Sequence, residues 1–138
     1  MSRGPPRDVY VARTRDIVVR AQPVYQAAQS DPARNQFTWS YTMEIENHGT
    51  ETVQLVSRHW IITDAQNRVE EVKGPGVVGE QPTLKPREAY RYTSACPLTT
   101  SSGAMRGSYQ MVTEGGEIFE AEIPEFSLHR PEAVKRMN

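Results

Sequence analysis

Three glycines, Gly74, Gly76 and Gly79, stand at G-x-G-x-x-G spacing in the run VKGPGVVGEQP. That spacing lets a backbone turn tightly against a pyrophosphate, whose charge is met by N–H groups at the start of a helix. Such a turn needs a buried strand before it and a long helix opening on its last glycine. Here Pro82 and Pro86 follow instead. The glycines are therefore expected to allow tight bends and close approach between strands. A second chemistry stays open, because successive N–H groups can form an anion-binding concavity without any helix. Arg58, His59 and Lys73 are the cations that could join it if the fold brings them near. Val77 and Val78 give the loop an apolar pair, and Glu80 and Gln81 give it a polar end, the mixture of a contact surface with an apolar centre and a polar rim. Gly74, Gly76, Val78, Gly79 and Glu80 together form the candidate anion or partner loop, and no cofactor is assigned to it.

Other constellations are weaker. Glu44, Glu46 and His48 alternate on one strand face, but at about 3.3 Å per residue the first and last stand roughly 13 Å apart, too far to converge on one ion. They read as a solvated polar face beside a turn, and no metal ligand is assigned. His59 reads as a structural histidine on the face opposite Trp60. Cys96 with His59 or His48 would need an orienting third group and an oxyanion site. The chain has no G-x-S-x-G elbow, and Cys96 directly precedes Pro97 in a loop-like stretch, so no catalytic residue is assigned. Glu70 and Glu71 are adjacent and point to opposite faces of a strand, which excludes a paired acid and base. Trp39, Tyr41, Trp60 and Tyr109 read as core rather than as a base-stacking platform.

The chain has 138 residues, the length of one domain that buries about 68% of its unfolded surface without a disulfide or metal staple. Sixteen Lys and Arg oppose seventeen Asp and Glu, a balance that argues against nucleic acid as a partner. One cysteine cannot form an internal disulfide, which fits a reducing compartment. No apolar run approaches the roughly 18 residues of a membrane span, and MSRGPPRD has charge with no apolar stretch behind it. A soluble, cytoplasmic protein with no membrane association is expected.

The elements that must position these residues are strands. Over residues 37–45, Phe37, Trp39, Tyr41, Met43 and Ile45 alternate with Thr38, Ser40, Thr42 and Glu44, which gives one apolar and one polar face. Asn47, His48 and Gly49 tolerate the positive φ of a tight turn after it. Residues 52–63 form the next strand, and the continuous Trp60, Ile61 and Ile62 suggest burial on both sides. Shorter strands fall at 17–21, with Pro23 marking its end or an edge, and at 68–72, 88–94, 105–111 and 118–123. Gly115 and Gly116 make the shortest hairpin connection. About seven strands without a helical pattern describe an antiparallel β-sandwich. Residues 14–128 form the domain; residues 1–13 and 129–138 are expected as flexible tails.

The runs WSYTMEIENHGTETVQL, SRHWIITDA, EEVKGPGVVGEQP, YTSACPL, GSYQMV and IPEF resemble the bacterial ApaG proteins, and the likeness covers residues 16–128. The resemblance implies a fibronectin type III-like sandwich, in the wider immunoglobulin-like class, with no assigned enzymatic activity. It also implies a genetic link to cobalt and magnesium tolerance. Related domains occur as the binding portions of eukaryotic F-box proteins and polymerase-delta-interacting proteins, a context of interaction rather than catalysis. This chain departs from the family where Arg87 replaces a usual glycine after Pro86, and where Ser94 and Ala95 replace a usual Ser-Gly. If those positions need positive φ, Arg87 in particular is costly. The expected function is a protein-interaction module with a protein partner, or a second copy of the chain through an edge strand. The alternative is a binder of phosphate, pyrophosphate or nucleotide at the glycine loop.

Overall fold

A computed structural model describes residues 8–131. Strand β3 (Phe37–Asn47) shows the strict alternation read from the sequence, every odd residue buried and every even one half-exposed. It sits between β2 (Ile17–Tyr25) and β7 (Ala89–Leu98), with β1 (Tyr10–Thr14) beyond β2, in an antiparallel sheet of order β1-β2-β3-β7. The second sheet is centred on β4 (Val53–Asp64) and β8 (Ser102–Thr113). Outside β8 lies β9 (Ile118–His129); outside β4 lie β5 (Val69–Pro75) and the two-residue β6 (Thr83–Leu84). All pairings are antiparallel, and the two sheets face each other as a β-sandwich.

Between the sheets an aromatic cluster fills the space: Tyr41, Trp60 and Phe126 lie with ring centroids 5.2–6.1 Å apart. Each such side chain, removed from water, contributes about 1.5–3 kcal/mol. Several polar atoms carried inside find partners. Trp39 donates its indole N–H to the His129 carbonyl at 2.9 Å, and the hydroxyls of Tyr92 and Tyr109 lie 2.7 Å apart.

The two sides of the sandwich differ. On one, β1 and β2 pack against β9: the Glu122 N–H donates to the Thr14 hydroxyl at 3.0 Å, the Tyr10 ring stands 6.1 Å from that of Phe126, and Arg15 pairs with Glu117 while lying over the Phe119 ring. This seam is closed. On the other side β7 and β5 are the outer strands of their sheets, and a groove of about 600 Å³ opens between them, with Phe37, Ile62 and Leu98 among its lining residues.

Several expectations need correction. Strand β1 starts at Tyr10 and β9 runs to His129, so the strands extend beyond residues 14–128 into the expected tails 1–13 and 129–138, of which 1–7 and 132–138 lie outside the described residues. Nine strands replace about seven, because β1 and β6 are too short to show a period. Two single 3-10 turns, Ala27–Gln29 and Pro32–Arg34, precede β3. Pro23 does not end β2, which continues to Tyr25; it lies past the last residue paired with β1, where a missing N–H is tolerated. Trp60 is buried, but Ile61 and Ile62 are half-buried, because among the described residues nothing covers the outer face and the inner face opens into the groove at Ile62. Asn47 is not a positive-φ turn residue. It ends β3 buried at 2% exposure, donating to the Glu51 and Leu84 carbonyls and accepting the Gly49 N–H. The shortest hairpin connection is Arg15-Asp16 between β1 and β2, and Gly115 with Gly116 belongs to a longer one.

Candidate functional site

The glycine loop exists because β4 bulges. Register between β4 and β8 slips at Val56, between Leu55 and Ser57. On its other side β4 pairs with β5 up to Ser57 and with β6 from Gln54 downward. The strand outside β4 is thus interrupted opposite the bulge, and residues 76–82 make the excursion. The spare Val56 carbonyl holds it, accepting the Gly76 N–H at 2.8 Å and the Gln81 side-chain amide at 2.9 Å. At the tip Val77 and Glu80 exchange two backbone hydrogen bonds of 2.8 Å, and Val78 and Gly79 between them have φ of 41° and 82°. Positive φ at both central residues is a type I′ turn, whose natural occupants are Asn, Asp and Gly. A β-branched residue there is strained.

Gly76 is required by this geometry. Its φ is 60°, and a Cβ on it would stand 2.1 Å from the Glu80 carbonyl oxygen. Gly74 pairs with Arg58 and leaves room for that guanidinium, which donates to the Pro75 and Gly76 carbonyls at 3.0 and 3.1 Å. The loop therefore offers carbonyl oxygens to a cation, while the N–H groups of Gly76, Val77 and Glu80 are engaged within the fold. An anion nest at this tip would rest on the N–H groups of Val78 and Gly79 alone. The apolar pair also separates: Val77 is completely buried in the core, and Val78 is 55% exposed.

The expected cations are close in sequence register but face different ways. Arg58 pairs with the buried Tyr109 and so belongs to the inner face. His59 and Lys73 pair with each other on the outer face, where the His59 ring meets Glu71 at 2.9 Å. That hydrogen bond holds the Glu71 carboxyl below its ordinary value. Glu70 and Glu71 do point to opposite faces, opposite Ile62 and Ile61 respectively. Glu46 is taken up by Arg20 at 2.5 Å and His48 at 2.9 Å, and these two depress its carboxyl in that order. Glu44 lies 3.4 Å from the same Arg20.

Cys96 lies within β7 opposite Trp39, not in a loop; Pro97 is accommodated because β7 is an outer strand. Burial pushes its thiol up to about 11, aided by the charge of Glu70, whereas a nucleophilic cysteine requires a lowered value. Trp39, Tyr41, Trp60 and Tyr109 are all core residues. Of the two departures, Arg87 does have φ of 73°, while Ala95 lies in β7 without positive φ.

The ApaG domain pattern matches residues 27–113. The chain belongs to the ApaG domain family. It is 63% identical over 136 residues to Protein ApaG of Caulobacter vibrioides, covering 99% of this chain and 97% of that protein. Protein ApaG of Brucella anthropi is 55% identical over 130 residues, 94% of this chain and all of the relative. A crystal structure described as an ApaA protein from Bordetella pertussis superposes with a TM-score of 0.83 at 50% identity, covering 86% of this chain and 96% of that one.

The groove between β5 and β7 is the feature that sequence reasoning missed among ApaG-type residues. Its lining comes from five separated segments, including Gln36, Phe37, Ile62, Glu70 and Leu98. No local signal in the sequence marks it, because the opening exists only where the second sheet faces the first.

Proposed function

We infer that this protein is a non-enzymatic, cytoplasmic interaction module that engages a protein partner through residues 74–82, with Val78 as the apolar anchor and Glu80 on the rim. The observation that carries the reading is Val78 itself: a β-branched residue held at φ of 41° with 55% of its surface exposed. Stability alone favours Asn or Gly at such a place, and an exposed valine stabilises nothing in the free chain. A tip braced by Arg58, Val56 and Gln81 needs little ordering on binding, which favours affinity. In this reading a link to cobalt or magnesium tolerance runs through the partner.

The test uses purified wild type, Val78→Asn, Val78→Asp and Glu80→Lys in affinity capture from the native cell extract, followed by reconstitution with the purified captured protein. Val78→Asn is expected to raise stability by about 1 kcal/mol, the strain of a β-branched residue in the left-handed region, yet to weaken capture. Capture unchanged in all three variants excludes the loop as the interface. Calorimetry with pyrophosphate, ATP and NAD addresses the ligand-binding alternative: micromolar affinity that survives Val78→Asp and Glu80→Lys but fails in Gly76→Val assigns the loop to an anion instead.

A further inference from the structure

We propose that the open seam between β5 and β7 is a second binding site, which takes an extended peptide added as a strand alongside β7 with a lysine or arginine side chain inserted between the sheets. Three observations meet there. The first is the state of the outer strands. β5 carries Glu70, Glu71, Lys73 and Pro75 along seven residues, charges and a proline that discourage another strand from pairing. β9 faces β1 across the closed seam. β7 has ten residues with Thr93, Ser94 and Ala95 uncharged at its centre, and Arg91 and Pro97 only toward its ends. Among the described residues it pairs with β3 alone, so it is the long strand edge whose centre is left without those devices.

The second observation is the groove. A strand laid beside β7 would send alternate side chains inward, and the space they enter at the Leu98 end is the opening of about 600 Å³ lined by Phe37, Ile62 and Leu98. Backbone pairing supplies affinity in this mode of recognition, and a side-chain pocket supplies selectivity.

Charge is the third. Glu70 pairs with Ile62 in register, hence it shares the inner face, and it lines the same groove. Its charge reaches across the seam to Cys96 on β7. Among the described residues no cationic side chain lies within 4 Å of it, whereas the neighbouring Arg68 is held by Asp64 at 2.7 Å and by Thr99 at 3.1 Å. Asp64 also lines the groove but is taken up by Arg68, so an apolar floor with the carboxylate of Glu70 at its wall matches a side chain with a long aliphatic stem and a cationic head. A phosphorylated or acidic segment does not fit.

The site lies at the start of β5, and residues 74–82 begin at its far end, so the proposal stands apart from the Val78 reading. Its probe is the peptide acetyl-Thr-Val-Lys-Val-Thr-amide titrated into the isotopically labelled full chain. Expected are saturable shifts at the amides of Thr93, Ser94, Ala95, Leu98, Ile62 and Glu70. A peptide with glutamate in place of lysine is expected to bind about tenfold more weakly, which corresponds to one well-placed charge contact. Glu70→Lys, an exposed position, should keep its urea midpoint and lose that preference, while Glu114→Lys, the same charge change on a distant turn, should retain it. N-methylation of the two valine amides should abolish binding. Shifts on β1 or β9 instead, a lysine preference that survives Glu70→Lys, or binding unaffected by N-methylation would each overturn the proposal.

Discussion

The two seams of the sandwich are built from the same kinds of residue and end in opposite states. Where β1 and β2 meet β9, an aromatic pair, an ion pair and a backbone-to-threonine hydrogen bond join the sheets. Where β5 faces β7, Ile62 and Leu98 remain half-buried and a carboxylate lines the gap. The closed seam is where the fold is secured. The open one, with the braced loop at the end of β5, is where the two sheets leave their edges uncovered among the described residues. A rigid scaffold with function on its margins is the usual division of labour in a β domain.

The largest effect should separate the seams directly. Phe126→Ala removes a ring 1% exposed that touches Tyr10, Tyr41 and Trp60, and is expected to cost about 3–5 kcal/mol in urea titration. Trp39→Ala should fall in the same range and also orphan the His129 carbonyl. Thr42→Ala, on the outer face of the same strand, should cost about 0.5 kcal/mol or less; equal losses at Trp39 and Thr42 would refute the assigned face.

Gly76→Val probes the hydrogen-bonded loop on the open side. The left-handed backbone and the contact with the Glu80 carbonyl should together cost about 2–4 kcal/mol. A loss below half a kcal/mol would mean that the loop is soft and that Val78 is not held in place. Ile62→Ala then measures the groove itself. Because Ile62 is already half-solvated, about 1–2 kcal/mol is expected, below the range for a fully buried isoleucine. A loss matching Phe126→Ala would show that the seam is shut in solution.

The smallest effect concerns acid. Arg15 holds the Glu117 carboxyl below its ordinary value, first by hydrogen bonding and then by charge. A depressed folded value means that the contribution is present above the unfolded carboxylate value, about 4.3, and is lost as pH falls through the folded value. Both side chains are well exposed, so the contribution is small. The melting temperature of Glu117→Gln should therefore fall less steeply than that of the wild type between about pH 5 and pH 3. Parallel curves would show that the ion pair adds nothing to the closed seam.

The sequence by itself determined the strands and their faces wherever a period of two ran long enough. Phe37 to Ile45 is the clearest case, because one face of an antiparallel sheet must be apolar and a one-residue slip would expose it. It also indicated that Gly74, Gly76 and Gly79 allow tight bends and that Glu70 and Glu71 diverge, since both follow from local backbone geometry; that Gly76 itself cannot be replaced came from the structure. Three other things waited for the tertiary structure. Cys96-Pro97 looked like a loop until β7 was seen to be an outer strand, where proline is tolerated. Val77 and Val78 looked like one patch, and only the turn dihedrals sent the first into the core and the second into water. The groove has no local signature at all: it depends on which two strand edges, distant in sequence, face each other without side chains long enough to close the space between them.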